Sequence, residues 1–313
     1  MPTPTPTPRV SIVIPAKNVA HDLPEALKSA TSQGVEEIEI LIADDGSTDG
    51  TGQLLAAAKR ENRRILHLQT GGVGPAAARN KAIEQAKAPL IAFLDADDRW
   101  RPGKLQAQLA YHLANPTATF SLTDYRHQGP DGEDLGECFA YWPRWRDLHA
   151  TGDGLATLHE ATALITAENA VGTATVVARR DALLAGGGFD PELKSASDWE
   201  MWIRLSLDGP VGYSTMIGMD YRMIPGSVTS NRALRIACME RILDRHGRSV
   251  EERHGLMPGR AARARLNVAR AELARSEGKT LQALGEHLVA LARDPNRRVL
   301  RATAADLKAL AVG

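Results

Sequence analysis

The chain carries no surplus charge of either sign. Lys plus Arg number 38 and Asp plus Glu number 38 in 313 residues, a net charge of zero. So even a balance provides no overall basic field for nucleic acid or for a membrane. Cysteine is scarce. The two present, Cys138 and Cys238, lie far apart with no C-x-x-C spacing and no histidine in metal-ligand register. A zinc site and a disulfide framework are therefore not indicated, and free thiols in a reducing cytosol are expected. No apolar run approaches the ~18 residues of a spanning helix. The opening residues alternate Pro and Thr, which reads as an extended, poorly ordered leader over 1–8 and not as a secretory signal. No internal repeat is evident. The apolar share of 43% is enough for a proper core, and at about 100–200 residues per domain the length fits one large domain or a domain plus an extension.

What is present is alternation. Val10–Ile14 reads as a strand stopped by Pro15, and Leu23–Gln33 as a helix with Leu23, Ala26, Leu27 and Ala30 on one face. Ile38–Ala43 is a second strand, Thr51–Arg60 a helix, and Ile65–Leu68 a third strand. Pro75–Ala86 is a helix with Pro at its first turn. Leu90–Leu94 is a fourth strand, Pro102–Leu113 a helix and Thr119–Thr123 a fifth strand. Periodicity fades from Tyr125 to about Glu168, an irregular insertion expected to cover the site. Ala174–Ala178 resumes as a strand, Asp198–Leu207 is a helix, and the chain is helical from Asn231 on. Strand alternating with helix predicts an α/β, Rossmann-like fold: an open, mostly parallel sheet with helices on both faces. In such sheets ligands bind beyond the carboxyl ends of the strands. Ala16-Lys17-Asn18, Asp44-Asp45 and Asp95-Ala96-Asp97-Asp98 all stand there.

The last of these clusters is the most telling. A buried strand delivers Asp95, Asp97 and Asp98 into a small space, where their charges repel. A hard divalent cation, Mn²⁺ or Mg²⁺, would neutralise them through oxygen, with Asp97 and Asp95 as ligands. The competing reading is a solvated turn capping the next helix. A second competitor is Gly72-Val73-Gly74-Pro75-Ala76-Ala77, which fits the G-x-G-x-x-A dinucleotide loop with Asp95 downstream. Three features weigh against a Rossmann dinucleotide enzyme. Pro75 lacks a backbone N–H where phosphate needs donors. Asp97 and Asp98 would repel a diphosphate. The unit is also the third in the chain and not the first. His112, His127, His149 and His159 show no metal spacing and read as surface or insertion residues.

The order of motifs resembles family 2 of the inverting glycosyltransferases. It runs from Val10–Asn18 through Ile42–Asp49 and Gly74–Asn80 to Phe93–Asp98. The resemblance covers about Val10 to Asn231. It implies the GT-A fold, a nucleotide-sugar donor and a divalent cation. Ala196–Leu205 matches the segment whose Asp is the general base, so Asp198 takes that role, although Ser197 stands where the family has Glu. Tyr221–Ser227 resembles the segment that closes the catalytic domain. The Gln-x-x-Arg-Trp of processive members is absent, which implies one sugar per encounter.

From that resemblance follow the expected roles. Pro15, Ala16 and Lys17 wall the base, and Asp45 meets uracil or ribose. Arg79 meets the diphosphate or braces the acidic cluster. Asp95 lies on metal, ribose or sugar, and Asp98 orients the loop or caps the next helix. Trp199 and Glu200 face the acceptor. Expected domains are a leader over 1–8, a catalytic domain over 9–231 with a nucleotide half (9–125) and an acceptor half (126–231), and a helical C-terminal extension over 232–313. The expected reaction is metal-dependent, inverting, non-processive transfer from a UDP-sugar to a saccharide or lipid-linked acceptor in surface glycan or glycolipid synthesis. It would take place in the cytosol or at the inner face of the membrane. The alternative is a catalytically silent nucleotide-sugar binding module. For the tail, helix packing or a homodimer contact stands beside a peripheral membrane surface formed by Arg260, Arg263, Arg265 and Arg270.

Overall fold

The computed structural model describes residues 7–223 and 231–312. Most of the Pro-Thr leader, and the part of the Tyr221–Ser227 segment after Met223, lie outside the described residues. The chain forms two compact units. The first comprises residues 7–161, 170–192 and 200–223; the second comprises 162–169, 193–199 and 231–312.

The first unit holds one sheet. Its strands are β1 Val10–Ala16, β2 Ile38–Asp44, β3 Ile65–Gln69, β4 Leu90–Phe93, β5 Arg99–Trp100, β6 Phe120–Gln128, β7 Asp134–Glu137, β8 Ala156–Thr157, β9 Val177–Arg179 and β10 Val211–Arg222. Their order is β3-β2-β1-β4-β9-β6-β10-β5, with β7 on β6 and β8 on β10. The long ladders, β1 with β2 and β4, β2 with β3, and β6 with β10, are parallel. Short antiparallel contacts of β9 with β4 and β6 join the two parallel groups. The sheet is flanked by helices α1 Leu23–Thr31, α2 Thr51–Glu61, α3 Pro75–Gln85, α4 Lys104–Ala114, α5 Cys138–Tyr141, α6 Pro143–Arg146, α8 Arg180–Ala185 and the greater part of α9 Ser197–Asp208, while α7 Ala161–Ala167 falls almost wholly in the second unit. This is the GT-A arrangement.

The apolar runs became central strands because both sheet faces are covered. Every residue of β2 is buried. The face of α1 read from its spacing, Leu23, Ala26, Leu27 and Ala30, is the buried one. These residues pack with Ile12, Ile14, Ile40, Ile42, Leu55, Leu94 and Leu105 in one core, each large side chain contributing roughly 1.5–3 kcal/mol by leaving water. A second aromatic core joins Phe93, Phe120, Phe189 and Trp202, with ring centroids 5.4–5.8 Å apart.

Several boundaries differ from the sequence reading. Pro15 does not stop β1. Val13 O accepts from Leu94 N and Ala16 O accepts from Asp45 N, so alternate residues face β4 and β2. Pro15 therefore faces the β4 side, past the last registered pair Val13–Phe93, where no ladder bond needs its missing N–H. Residues Thr173–Thr175 form a 3₁₀ turn, and the strand begins only at Val177. The fifth predicted strand runs on to Gln128. Strand β10 was not read at all. Gly212, Gly218 and register shifts between Ser214 and Met219 break its alternation.

In the second unit, helices α10 Arg232–His254, α11 Leu256–Ser276, α12 Thr280–Arg293 and α13 Arg297–Val312 follow one another. Asn231 caps α10 by accepting Leu234 N at 3.0 Å. The turn into α11 falls at Gly255, whose φ of 75° favours glycine, and Pro258 sits in the first turn that follows. Alanines 264, 271, 274, 283 and 290 are buried along these helices. The four arginines read as a headgroup-facing set each have a protein partner. Arg263 pairs with Glu251 at 2.7 Å and Arg270 pairs with Glu240. Arg260 donates to Ala292 O at 3.2 Å. Arg265 donates to Ala167 O at 3.2 Å and lies 5.0 Å from the Trp199 ring. No described helix is long and apolar enough to cross a membrane.

Candidate active site at the strand ends

Two acidic loops leave the same edge of the first unit's sheet. After β2 come Asp44 and Asp45. The backbone turns past Gly46 at φ 83°, and Asp44 Oδ1 accepts Ser47 N at 2.9 Å while Oδ2 meets His67 Nε2 at 3.3 Å. Asp45 is 4% exposed. Its Oδ1 accepts Thr70 Oγ1 at 2.8 Å and Val73 N at 2.7 Å, and its Oδ2 accepts Gly74 N at 2.8 Å. The carboxylate thus pins the Gly71–Gly74 loop, three of whose residues have positive φ, to the end of β2. Burial alone would raise the pKa of Asp45. The donors Thr70, Gly74 and Val73, and then the Lys17 charge, outweigh it and hold the carboxyl below its ordinary value. The same balance, with Ser47 and His67 as donors, lowers Asp44.

The wall expected from Pro15, Ala16 and Lys17 begins where β1 meets this loop. Ala16 O is taken by Asp45 N at 2.8 Å, Ala16 is buried and Lys17 is exposed. Beside it Asn18, in the left-handed region at φ 55°, accepts Thr48 N at 2.8 Å and donates its own N–H to Ser47 Oγ at 3.0 Å.

After β4 the balance reverses. Asp95 is paired with Arg79 from α3, whose guanidinium lies 5.7 Å from the Phe189 ring. Arg79 therefore braces the acidic loop. Asp97 has no ion-pair partner among the described residues. Burial and then the Asp95 charge push its carboxyl up to about 6, with Asp22 adding and Arg222 opposing. Asp98 is fully buried and pushed well above the ordinary range by burial and then by Asp95 and Asp97. It does not cap the next helix: Gly103 stands at the N-cap of α4, which has no side-chain cap, and Asp98 Oδ1 instead faces Arg222 N at 3.4 Å.

Arg222, at the end of β10, also pairs with Asp22 at 2.5 Å. Neither Asp22 nor Arg222 was singled out for the acidic loop from sequence, although Arg222 stood in the closing segment. Among the described residues no group of three or more His, Cys, Asp or Glu is arranged to hold a metal alone. A cation that shares its coordination with substrate phosphates needs only one or two carboxylates. Unpaired Asp97 beside Asp95, in a field that already disfavours its charge, fits that need.

The helix α9 segment belongs in part to the second unit, and Asp198 lies in that part. It follows Ala196, a non-glycine residue at φ 55°. Asp198 is partly exposed, and its Oδ1 accepts Trp199 N at 2.8 Å. The acceptor-facing roles expected of Trp199 and Glu200 are corrected. Trp199 is 0% exposed and its indole donates to Ile165 O at 2.8 Å. Glu200 is 1% exposed, with its carboxylate on Arg204 at 2.9 Å. Neither offers a surface to a sugar. His112 is corrected as well. It is buried against Ser121 Oγ and Val177 O at 3.1 and 3.2 Å, and desolvation lowers it to about 4.

Comparison with known proteins points to one family and one fold. The family model described as "Glycosyl transferase family 2" matches residues 11–164. The chain is 30% identical over 228 residues to the Bacillus subtilis glycosyltransferase TuaG, assigned by its name to teichuronic acid biosynthesis, covering 72% of this chain and 83% of TuaG. It is 29% identical to the hyaluronan synthase of Pasteurella multocida, over 73% of this chain but 22% of that much longer protein. Among solved structures, the Pyrobaculum calidifontis mannosyltransferase PcManGT in complex with GDP-Man and Mn²⁺ superposes with a TM-score of 0.64 at 19% identity, covering 99% of this chain and 82% of that one. S. aureus TarS 1–349 in complex with UDP-GlcNAc gives 0.58 at 20% identity, covering 96% and 92%.

Proposed function

Since the chain belongs to glycosyl transferase family 2, and so is a glycosyltransferase, we propose that it moves one sugar per encounter from a UDP-sugar to an acceptor hydroxyl, with inversion. A role in surface glycan or glycolipid synthesis is supported by the name of TuaG. The observation that carries the mechanistic reading is the unneutralised Asp97 beside the Arg79-neutralised Asp95.

Each residue then has a task. Asp97, with Asp95, holds a divalent cation, Mn²⁺ or Mg²⁺. When bound, that cation supplies Lewis-acid neutralisation of the leaving diphosphate. Arg79 keeps Asp95 in place and limits the negative charge that a diphosphate meets. Asp45 has used three of roughly four lone-pair sites, one on Thr70 and two on the Gly loop; the remaining one accepts the N–H of a pyrimidine or a ribose hydroxyl. Pro15, Ala16 and Lys17 border the base. Asp198 takes the proton of the attacking hydroxyl. In domain terms, residues 9–125 form the nucleotide half, 126–231 the acceptor half and 232–313 the extension.

Donor hydrolysis by purified protein across UDP- and GDP-sugars, with Mn²⁺ and with chelator, tests this. Asp198→Ala should lower turnover by about 10²–10⁴-fold, the scale of a lost general base, while leaving the Mn²⁺-dependent thermal shift with UDP intact. Turnover equal to an active wild type in Asp198→Ala sinks the general-base reading; a donor-dependent shift with wild type and variant both at background hydrolysis leaves a silent binding module in its place, and no shift with any nucleotide-sugar sinks both.

A further inference from the structure

The last two helices present a face that the second unit's own packing does not use. On α12 the inward residues are Ala283, His287 and Ala290; Leu281, Gly285, Leu288 and Ala292 stand opposite them and are exposed. On α13, Leu300, Ala304, Leu307 and Ala311 follow at i, i+4, i+7 and i+11, one exposed stripe. The four leucines are no marginal cases: Leu281 is 75% exposed, Leu288 50%, Leu300 55% and Leu307 53%. Arg297, Arg301 and Lys308 run alongside the α13 stripe, exposed and without an ion-pair partner among the described residues.

The acids of these helices point the other way. Glu286 is the one acid of α12 and accepts from Asn267. Asp306 is the one acid of α13; it is 1% exposed and held by Arg275 and His287. The outward faces of the two helices are therefore apolar and cationic, and neither helix adds an acid to them. We propose that this α12–α13 face docks on an anionic lipid surface, its leucines entering the headgroup boundary and its cations meeting phosphates. Burial of apolar side chains combined with attraction to anionic headgroups is the physics of an interfacial helix. A second copy of the chain fits less well. A two-fold contact would set Arg297, Arg301 and Lys308 against the same cations of the partner, with no acid on either side to offset them. The surface differs from the arginine set considered from sequence, whose members pair with Glu251 and Glu240 or donate to backbone carbonyls. It stands apart from the catalytic reading, because docking needs no donor.

The experiment is co-sedimentation of the full chain with vesicles of phosphatidylcholine alone and of phosphatidylcholine mixed with phosphatidylglycerol. Binding is expected only to the anionic vesicles and should weaken with salt. Leu300→Asp with Leu307→Asp should lower the partition coefficient by more than tenfold. Arg301→Gln should lower it about fivefold, near the value of one cation at such a surface. Because these positions are exposed, melting temperature and donor hydrolysis should stay at wild-type levels, which separates lost docking from lost folding or lost catalysis. Equal sedimentation with both vesicle types, or binding unaffected by the leucine variant, overturns the proposal. So does a dimer in light scattering that Leu300→Asp with Leu307→Asp disperses, since the second copy would then own the face.

Discussion

The ends of β2 and β4 lie on one sheet edge and each carries adjacent aspartates, yet the two pairs are in opposite electrical states. Asp44 and Asp45 are buried but served by hydroxyl and backbone donors, and both are held below the ordinary carboxylate range. Asp98 is buried and Asp97 half-buried, with few donors between them; they repel Asp95 and each other, and both are pushed above it. Desolvation raises all four, more strongly at Asp97 and Asp98, and the supply of N–H and O–H groups at Asp44 and Asp45 is what overrides it there. One pair has spent its charge on building the loop, whereas the other retains charge that only something from outside the chain can satisfy. On this view Asp45 is architecture with a spare lone pair, and Asp97 is an incomplete binding site.

Removing the charge at each end should therefore have opposite signatures. Asp97→Asn is expected to cut metal-dependent turnover by about 10²–10³-fold, the scale of losing one charge-stabilising group at a transition state, while the metal-free protein melts no lower than wild type. Asp45→Ala should do the reverse. It strands Thr70 Oγ1, Val73 N and Gly74 N, at a cost of about 3 kcal/mol after partial rescue by water, or roughly 10 °C in Tm for a unit of this size. Calorimetry in chelator beside donor turnover reads both. If Asp97→Asn unfolds the protein and Asp45→Ala does not, the comparison is the wrong way round.

The pH dependence of stability sharpens the contrast further. Burial and then the Asp95 charge push Asp97 up to about 6 in the folded chain, from an ordinary value of 3.8. Between those values the folded state binds more protons than the unfolded one, so its contribution falls as pH rises. Solvent screening of this partly exposed group limits that loss to about 2 kcal/mol. Asp98, raised further, extends the fall to higher pH. Asp44 and Asp45 act with the opposite sign. Lowered below 3.8, they contribute stability above the unfolded pKa that disappears as pH falls through their folded values. Metal-free stability attributable to this edge should accordingly peak near the unfolded carboxylate pKa. Asp97→Asn should flatten the limb between about pH 4 and 6 and leave the acid limb untouched. Denaturant midpoints in chelator across that range decide it; an unchanged limb in the variant would assign the fall to other groups.

The sequence made part of this readable. Runs such as Val10–Ile14 and Ile38–Ala43 are visible because a strand covered on both faces must be apolar throughout, and the helical spacing of Leu23 to Ala30 is equally local. That Asp95, Asp97 and Asp98 stand at a strand end is local too. Which of them is neutralised is not, because Arg79 comes from α3 and Arg222 from β10, an element whose glycines and bulges hid it. The Asp45 contacts with Val73 and Gly74 depend on a loop that reads, by letters alone, as a phosphate cradle. Trp199 and Glu200 were misread for a related reason. Helical periodicity says which residues share a face, but not that Ile165 O and Arg265 cover one side of that helix and Arg204 ties down another.

The smallest expected effect discriminates most finely. Thr70→Val keeps side-chain volume and removes one of the three donors to Asp45, the 2.8 Å bond from Thr70 Oγ1, together with its 3.2 Å bond to Asp44 O. Asp45 Oδ1 still accepts Val73 N at 2.7 Å and Oδ2 still accepts Gly74 N. The cost should be near that of a single net hydrogen bond, about 1 kcal/mol, with the Asp45 pKa moving up toward its ordinary value and the donor dissociation constant changing by less than about twofold, well under 1.4 kcal/mol. If the backbone N–H pair is the true anchor, the Gly71–Gly74 loop stays in place and amide exchange at Val73 and Gly74 stays protected. Should Thr70→Val instead match Asp45→Ala in stability loss and exchange, the hydroxyl and not the carboxylate–backbone pair organises the loop, and the β2 end would resemble the β4 end in depending on one weak partner.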